Sequence, residues 1–327
     1  MIKVLELFGG IGACSKALER LNIDYEIADY VEIDKYAVKS FNAIHNTSFE
    51  PQDICKWDKD IEADLIMHGS PCQDFSLAGK QAGGDFGSGT RSSLMYETIR
   101  IVEKLKPKYV IWENVKNLLS KKHRHNFDAY LETMEQLGYN NYYKVLNAKD
   151  YGIPQNRERV FTVSIRKDID EGSFLFPDKQ LLELGLKDLL DDIVDDEYFL
   201  TNYFLTQISN TKYKNQSYID GTNKLLNGYF NDLKIMDYRY DEGLRIRKNN
   251  LCPTLTTRGK QSISGVPIIY RYKKLRFITP KECWRFMGFN DGDFDKAANV
   301  NSNVQLYKQA GNSIVVNVLE EILKKLF

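Results

Sequence analysis

The sequence predicts an α/β protein: a doubly wound domain with a second, smaller and irregular domain attached. Three observations lead there. Over the first 170 residues, short β-rich runs alternate with longer amphipathic ones, the mark of βαβ units around a largely parallel sheet. The first run ends in a glycine-rich turn, and from about residue 191 the alternation dissolves into Asn-, Tyr- and Lys-rich segments with short strands. A length of 327 residues agrees, because a single core rarely serves a chain beyond about 250 to 300 residues.

Taken in order, strands are expected at 2–8, 27–33, 64–68, 108–113, 142–148 and 159–165. Helical periodicity appears at 13–21, 34–44, 92–104 and 124–137, with Asp34 and Ser92 as N-caps and Gly138 as a C-cap. Further on, a strand is expected at 266–272, Pro280 opens a helix at its first turn, and Ser313 to Leu326 form an apolar-periodic helix. The expected division is 1–190 with 305–327 in one domain and 191–304 in the other.

Composition narrows the function classes. With 43% apolar and 28% charged residues the chain is ordinary for a globular protein, which excludes disorder and collagen-like repeats. Apolar stretches such as 65–67 and 109–112 fall far short of the roughly 18 residues that span a bilayer. Glu6 interrupts the apolar N-terminal run, which reads as a strand rather than a signal peptide, so a cytoplasmic location is expected. Five scattered cysteines without a CxxC pair, and four histidines without zinc spacing, suggest neither a disulfide framework nor a metal site. A monomer is expected.

The zero formal charge hides an asymmetry: residues 201–281 hold 15 Lys+Arg against five Asp+Glu, a balance of +10, and the rest of the chain holds 30 against 40. A basic module on an acidic one suits a phosphate-bearing partner.

Four motifs carry chemistry. Phe8-Gly9-Gly10-Ile11-Gly12 makes a strand-to-helix turn whose glycines let the backbone approach a ligand, and Glu32 near the tip of the next strand is placed to accept from ribose hydroxyls. Ser15 replaces the third glycine of a dinucleotide fingerprint, so a nucleoside without a pyrophosphate, such as S-adenosylmethionine, fits better. Asp53 suits either an adenine amino group at the end of a strand or a helix cap. Next, strand 64–68 delivers Gly69-Ser70-Pro71-Cys72-Gln73 at the ligand-binding edge, where Cys72 is a nucleophile or an inert thiol. The glycine-rich run from Ser76 through Lys80 to Arg91 reads as a loop able to close over a substrate. Strand 108–113 ends in Glu113-Asn114-Val115, a carboxyl suited to a general acid or hydrogen-bond donor. Finally, Gln155-Asn156-Arg157-Glu158-Arg159 sets two arginines two residues apart, on one face of a strand, for phosphate, base oxygen or a structural ion pair.

As an ordered set, these motifs resemble the cytosine-5 DNA methyltransferase family, of the bacterial or phage restriction-modification type. Arg276 to Gly288 resembles the family motif that supports its recognition domain, and Gly311-Asn312-Ser313 the last motif, which completes the cofactor pocket. The resemblance implies a Rossmann-like methyltransferase domain with a smaller target-recognition domain, S-adenosylmethionine as cofactor and double-stranded DNA as partner. It assigns Cys72, Glu113, Arg159 and Arg157 to catalysis. Phe8, Gly10, Ile11, Gly12, Glu32, Ile33, Asp53, Ile54, Pro71, Asn312, Ser313 and Val315 would bind the cofactor, with Ile33 standing where many relatives carry an aromatic residue. DNA would meet Gln73, Ser76, Lys80 and Arg91, and in the recognition segment Arg245, Arg247, Thr254, Leu255, Arg258 and Lys260. Three rivals are a tRNA cytosine-5 methyltransferase, a catalytically silent DNA-binding protein, and a cysteine hydrolase using His68.

Overall fold

In the computed structural model, residues 1–71, 94–210, 223, 233–240 and 242–327 are described. Cys72, Gln73, Ser76, Lys80, Arg91 and the expected cap Ser92 lie outside them. The chain forms two compact units, one from Met1–Asn147, Glu158–Lys179 and Ile314–Phe327, the other from Ala148–Arg157 and Gln180–Ser313.

The first unit is built on a six-stranded sheet of β1 (Ile2–Leu7), β2 (Tyr25–Val31), β3 (Leu65–His68), β4 (Tyr109–Val115), β5 (Tyr139–Asn147) and β7 (Glu158–Arg166), in the order β2-β1-β3-β4-β7-β5. The first four strands are mutually parallel. Strand β7 runs antiparallel to both neighbours, because the few residues between Asn147 and Glu158 are too short for a parallel crossover. Reversal matters for the site: β7 begins at the edge where β4 ends. The apolar runs are buried, with Val4, Leu5, Ile66, Val110 and Ile111 fully covered, as expected for strands with helices on both faces.

Helices α1 (Ala13–Arg20), α2 (Lys35–His45), α3 (Met95–Leu105) and α4 (Arg124–Gln136) connect these strands. Asp34 caps α2, accepting from the Tyr36 amide at 3.0 Å, and Gly138 follows α4 at φ +92°, the left-handed conformation glycine takes at helix ends. Two expectations are corrected. No strand precedes Asp53; the segment is irregular and is tied by the Gln52 amide to the Glu32 carbonyl at 2.8 Å. The helix expected from Ser313 to Leu326 is shorter, Val316–Leu323, because Ser313 is extended and ends the preceding helix.

In the second unit, β8 (Lys234–Arg239), β9 (Gly243–Ile246), β11 (Ile268–Arg271) and β12 (Lys274–Phe277) form an antiparallel sheet in the order β12-β11-β8-β9. The short strands β6 (Gln155–Asn156) and β10 (Cys252–Pro253) pair in parallel. A buried ion pair braces the unit: Arg276 donates to both oxygens of Glu282 at 2.8 and 2.7 Å. Glu282 also accepts from the amides of Thr279 and Asp191, both at 2.8 Å. Its charge is thus fully hydrogen-bonded, the condition for burying one.

Candidate active site

The turn after β1 is shaped by backbone conformation. Phe8, Gly10 and Gly12 have φ of 52°, 57° and 80°. A Cβ on Gly12 would overlap the His45 ring and sit 2.7 Å from Phe41, whereas nothing lies within 4 Å of a Cβ built on Gly10. Gly12 is needed for packing, and Gly10 leaves room for a ligand. Ile11 is buried. Sequence reasoning missed what lies beneath: Glu6 is 2% exposed and accepts from both the amide and the hydroxyl of Ser15. Burial pushes its carboxyl up to about 7. The signal was present, as a lone acid in an apolar strand facing the serine that replaces the third glycine.

Glu32 follows β2 directly. Its carboxylate accepts from the Gly10 amide at 3.2 Å and the Asp34 amide at 2.8 Å, and burial raises its pKa. Ile33 beside it is 69% exposed. Asp53 caps a single turn, accepting from the Cys55 amide at 3.0 Å, which leaves its second carboxylate oxygen without a part in the cap. Ile54 is buried. The Gln52 to Glu32 bond brings the Glu32 and Asp53 segments together.

At the next strand end, Ser70 is 3% exposed and held by β4. Its hydroxyl accepts from the Trp112 indole at 3.0 Å, and its carbonyl from the Asn114 amide nitrogen at 3.3 Å. These bonds fix the backbone that leads through Pro71 toward Cys72. A Cβ on Gly69 would lie 3.7 Å from the Glu113 carboxylate. Glu113 meets Arg159 at 2.9 Å, with side chains 12% and 16% exposed. The register explains the meeting: Arg159 lies opposite Val115, and Val115 shares a strand face with Glu113. His68 offers no base to a cysteine. It is fully buried, stacked on Trp112, within 3.2 Å of the Tyr130 hydroxyl, and burial lowers its pKa to about 3.

Arg157 departs from expectation. It belongs to the second unit, is 4% exposed, and donates to the carbonyls of Leu255, Gly311 and Ser313 at 3.2, 3.1 and 2.8 Å. Its guanidinium is thus engaged by main-chain carbonyls of its own unit, and the residue stands between the end of β6 at Asn156 and the start of β7 at Glu158. Leu255 is buried, and Thr254 donates to the Asn156 carbonyl at 2.8 Å. Arg245 is paired with Asp237 and Glu242, Arg247 with Asp237, and Lys260 with Glu197. Arg258 is exposed and held only weakly, 3.4 Å from Ser264. Asn312 is exposed, whereas Ser313 and Val315 are buried.

The family model for C-5 cytosine-specific DNA methylases matches residues 2–327. The chain belongs to this family. It is thereby an enzyme, a DNA (cytosine-5)-methyltransferase. It is 36% identical to the type II methyltransferase M2.ScrFI of Lactococcus lactis subsp. cremoris, over 100% of this chain and 99% of the relative. It is 32% identical to the type II methyltransferase M.Bsp6I of a Bacillus species, again over 100% and 99%. The fold is that of the S. pombe Dnmt2 methyltransferase crystal structure, with a TM-score of 0.72, 20% identity, and 100% and 98% of the two chains covered. Among the described residues no helix is long and apolar enough to cross a membrane, and no cluster of His, Cys, Asp and Glu is suited to a metal.

Proposed function

We propose that this enzyme transfers a methyl group from S-adenosylmethionine to C5 of a cytosine in double-stranded DNA, through a transient bond between Cys72 and C6 of the base. One observation carries the reading. An acid and a guanidinium, Glu113 and Arg159, touch at 2.9 Å in a mostly buried setting at the sheet edge, beside the backbone that leads to Cys72.

The residues present fit S-adenosylmethionine. Gly10 leaves open space, Glu32 holds the turn with its carboxylate on the Gly10 amide, Asp53 keeps one oxygen outside its cap, and Ile33 offers an exposed aliphatic surface for an adenine ring. When bound, S-adenosylmethionine supplies the electrophilic methyl of its sulfonium. Cys72 thiolate adds to C6, forming an S–C bond and moving the C5–C6 π pair into the ring. Glu113 holds and protonates N3, which stabilises that charge and makes C5 nucleophilic. Arg159 orients Glu113 and donates to the base oxygen. After methylation the C5 proton leaves, and expulsion of the Cys72 thiolate restores the double bond. Attack above the ring plane requires an unstacked base, so the cytosine is flipped out of the duplex.

In this reading residues 191–304 form the target-recognition domain, and the protein works as a cytoplasmic monomer. Exposed Arg258 is the best-placed base reader, since arginine bidentate to guanine is the commonest specific contact, while Arg245 and Arg247 are engaged by Asp237. The test is incubation with labelled S-adenosylmethionine and either unmethylated duplex DNA or tRNA, followed by base-resolution sequencing. Label as 5-methylcytosine in one short DNA context is expected. Label confined to tRNA overturns the substrate, and normal turnover by Cys72→Ser overturns the nucleophile.

A further inference from the structure

We propose that Lys121 and Lys122, framed by Lys116, Arg124 and His125, form a binding site for the sugar-phosphate backbone of the substrate duplex on the catalytic unit itself. The proposal rests on the DNA reading above and adds a contact surface outside the basic recognition segment. Residues 116–125 contain four Lys or Arg, two His and no acid. They interrupt a part of the chain whose balance is otherwise acidic, since everything outside 201–281 sums to −10.

Position gives the run its meaning. Strand β4, which carries Glu113, ends at Val115, and a single turn at Lys116–Leu119 continues it, pinned by Leu118 at 0% exposure. The basic run therefore leaves the sheet at the edge that holds the Glu113–Arg159 pair. Lys116 reaches back to both oxygens of Glu158, at 3.1 Å, next to Arg159.

Charge compensation separates the members. Lys116 is neutralised by Glu158, and Arg124 by Asp128 at 2.7 Å. Arg124 also lies over the rings of Phe127 and Tyr143, 5.4 and 5.7 Å from their centres, which holds it in place. Lys121 and Lys122 are exposed and have no carboxylate within ion-pair distance among the described residues. Other lysines of this unit divide: Lys3, Lys16, Lys59, Lys104 and Lys108 each have an acidic partner, whereas Lys39, Lys56, Lys106 and Lys325 also stand outside any ion pair among the described residues, but singly rather than as neighbours in the chain. Two adjacent uncompensated ammonium groups on a packed platform, at the edge where a duplex must come to present its base, suit neighbouring phosphates. Backbone contacts carry no sequence information, so this site supplies affinity and register to any duplex alike.

The experiment measures binding of a fluorescein-labelled 30-base-pair duplex by the full chain at several salt concentrations, comparing wild type, Lys121→Gln/Lys122→Gln and the control Lys39→Gln/Lys325→Gln. Each phosphate contact contributes about 0.9 to the slope of log K against log salt, so the Lys121/Lys122 variant should lose about 2 from that slope on cognate and unrelated duplexes equally. Its Tm should match wild type and the control should bind as wild type does. A variant with the wild-type slope and affinity removes this site and leaves the methyltransferase reading intact. Absence of salt-dependent duplex binding by the wild type overturns the DNA reading, and this site with it.

Discussion

Removing the guanidinium of Arg159 should expose how strongly the site depends on one ion pair. Arg159 and Glu113 meet at 2.9 Å with side chains only 16% and 12% exposed, a distance at which two unit charges in an effective dielectric of about 20 attract by roughly 6 kcal/mol before desolvation is counted. Desolvation cancels much of that, and measured couplings of close, mostly buried charge pairs start near 1.5 kcal/mol. We therefore expect Arg159→Met to destabilise the fold by about 3 kcal/mol, since it takes a cation away from a mostly buried carboxylate. Glu113→Gln keeps an acceptor and should cost about 1 kcal/mol. The double variant should cost about 2 kcal/mol less than the sum, read from urea unfolding of all four proteins at pH 7. The coupling should persist at 0.5 M salt, where a surface pair such as Lys3 with Glu62, 38% and 85% exposed, is screened. Both single variants should also lose methyl transfer by more than tenfold. Additivity within about 0.4 kcal/mol, the spread of independent sites, would refute the contact.

Three further outcomes follow from named atoms. Gly311→Ala would drive a Cβ into the Thr256 carbonyl and to 2.6 Å from the Thr257 amide, beside the carbonyls that Arg157 gathers, so a loss of about 3 kcal/mol is expected in urea unfolding; a loss below 0.5 kcal/mol would contradict that packing. Asn114→Ala strips the Ser70 carbonyl of its donor and should cost about 1 to 3 kcal/mol while lowering methylation more than S-adenosylmethionine binding, as judged by steady-state kinetics and calorimetry; equal losses would deny Ser70 a positioning role. Glu6, raised by burial from 4.5 to about 7, binds its proton more tightly folded than unfolded. Its contribution is therefore full below about pH 4.5 and falls as pH rises toward 7, by on the order of 3 kcal/mol. Glu6→Gln keeps the acceptor for Ser15, so the stability difference between variant and wild type should grow in the variant's favour across that window, and a flat difference would show that Glu6 does not titrate there.

How much of this was legible beforehand differs by residue. The chemistry requires particular side chains at the ends of particular strands, so Gly10, Glu32, Glu113 and Arg159 could be placed from strand pattern and motif order alone. Asp53 could not be resolved, because a carboxylate that caps a turn and one that faces a ligand use the same atoms. In the structure it caps with one oxygen. The two arginines of Gln155 to Arg159 shared a face only under an unbroken period of two. The strand instead restarts at Glu158, and Arg157 is drawn into a cradle of carbonyls up to 156 residues away in sequence. Likewise no local pattern could show that Arg245 and Arg247 converge on Asp237.

What the amino-acid order determined by itself was the alternation of elements, the glycine turn, the order of the motifs and hence the family, since these depend on local backbone preference and on residue type. Only the tertiary structure decided which charges are paired, which polar groups are buried and which lysines remain free for a partner. Those properties depend on the approach of segments distant in the chain, where burial and a few ångströms of separation set the electrostatic energy.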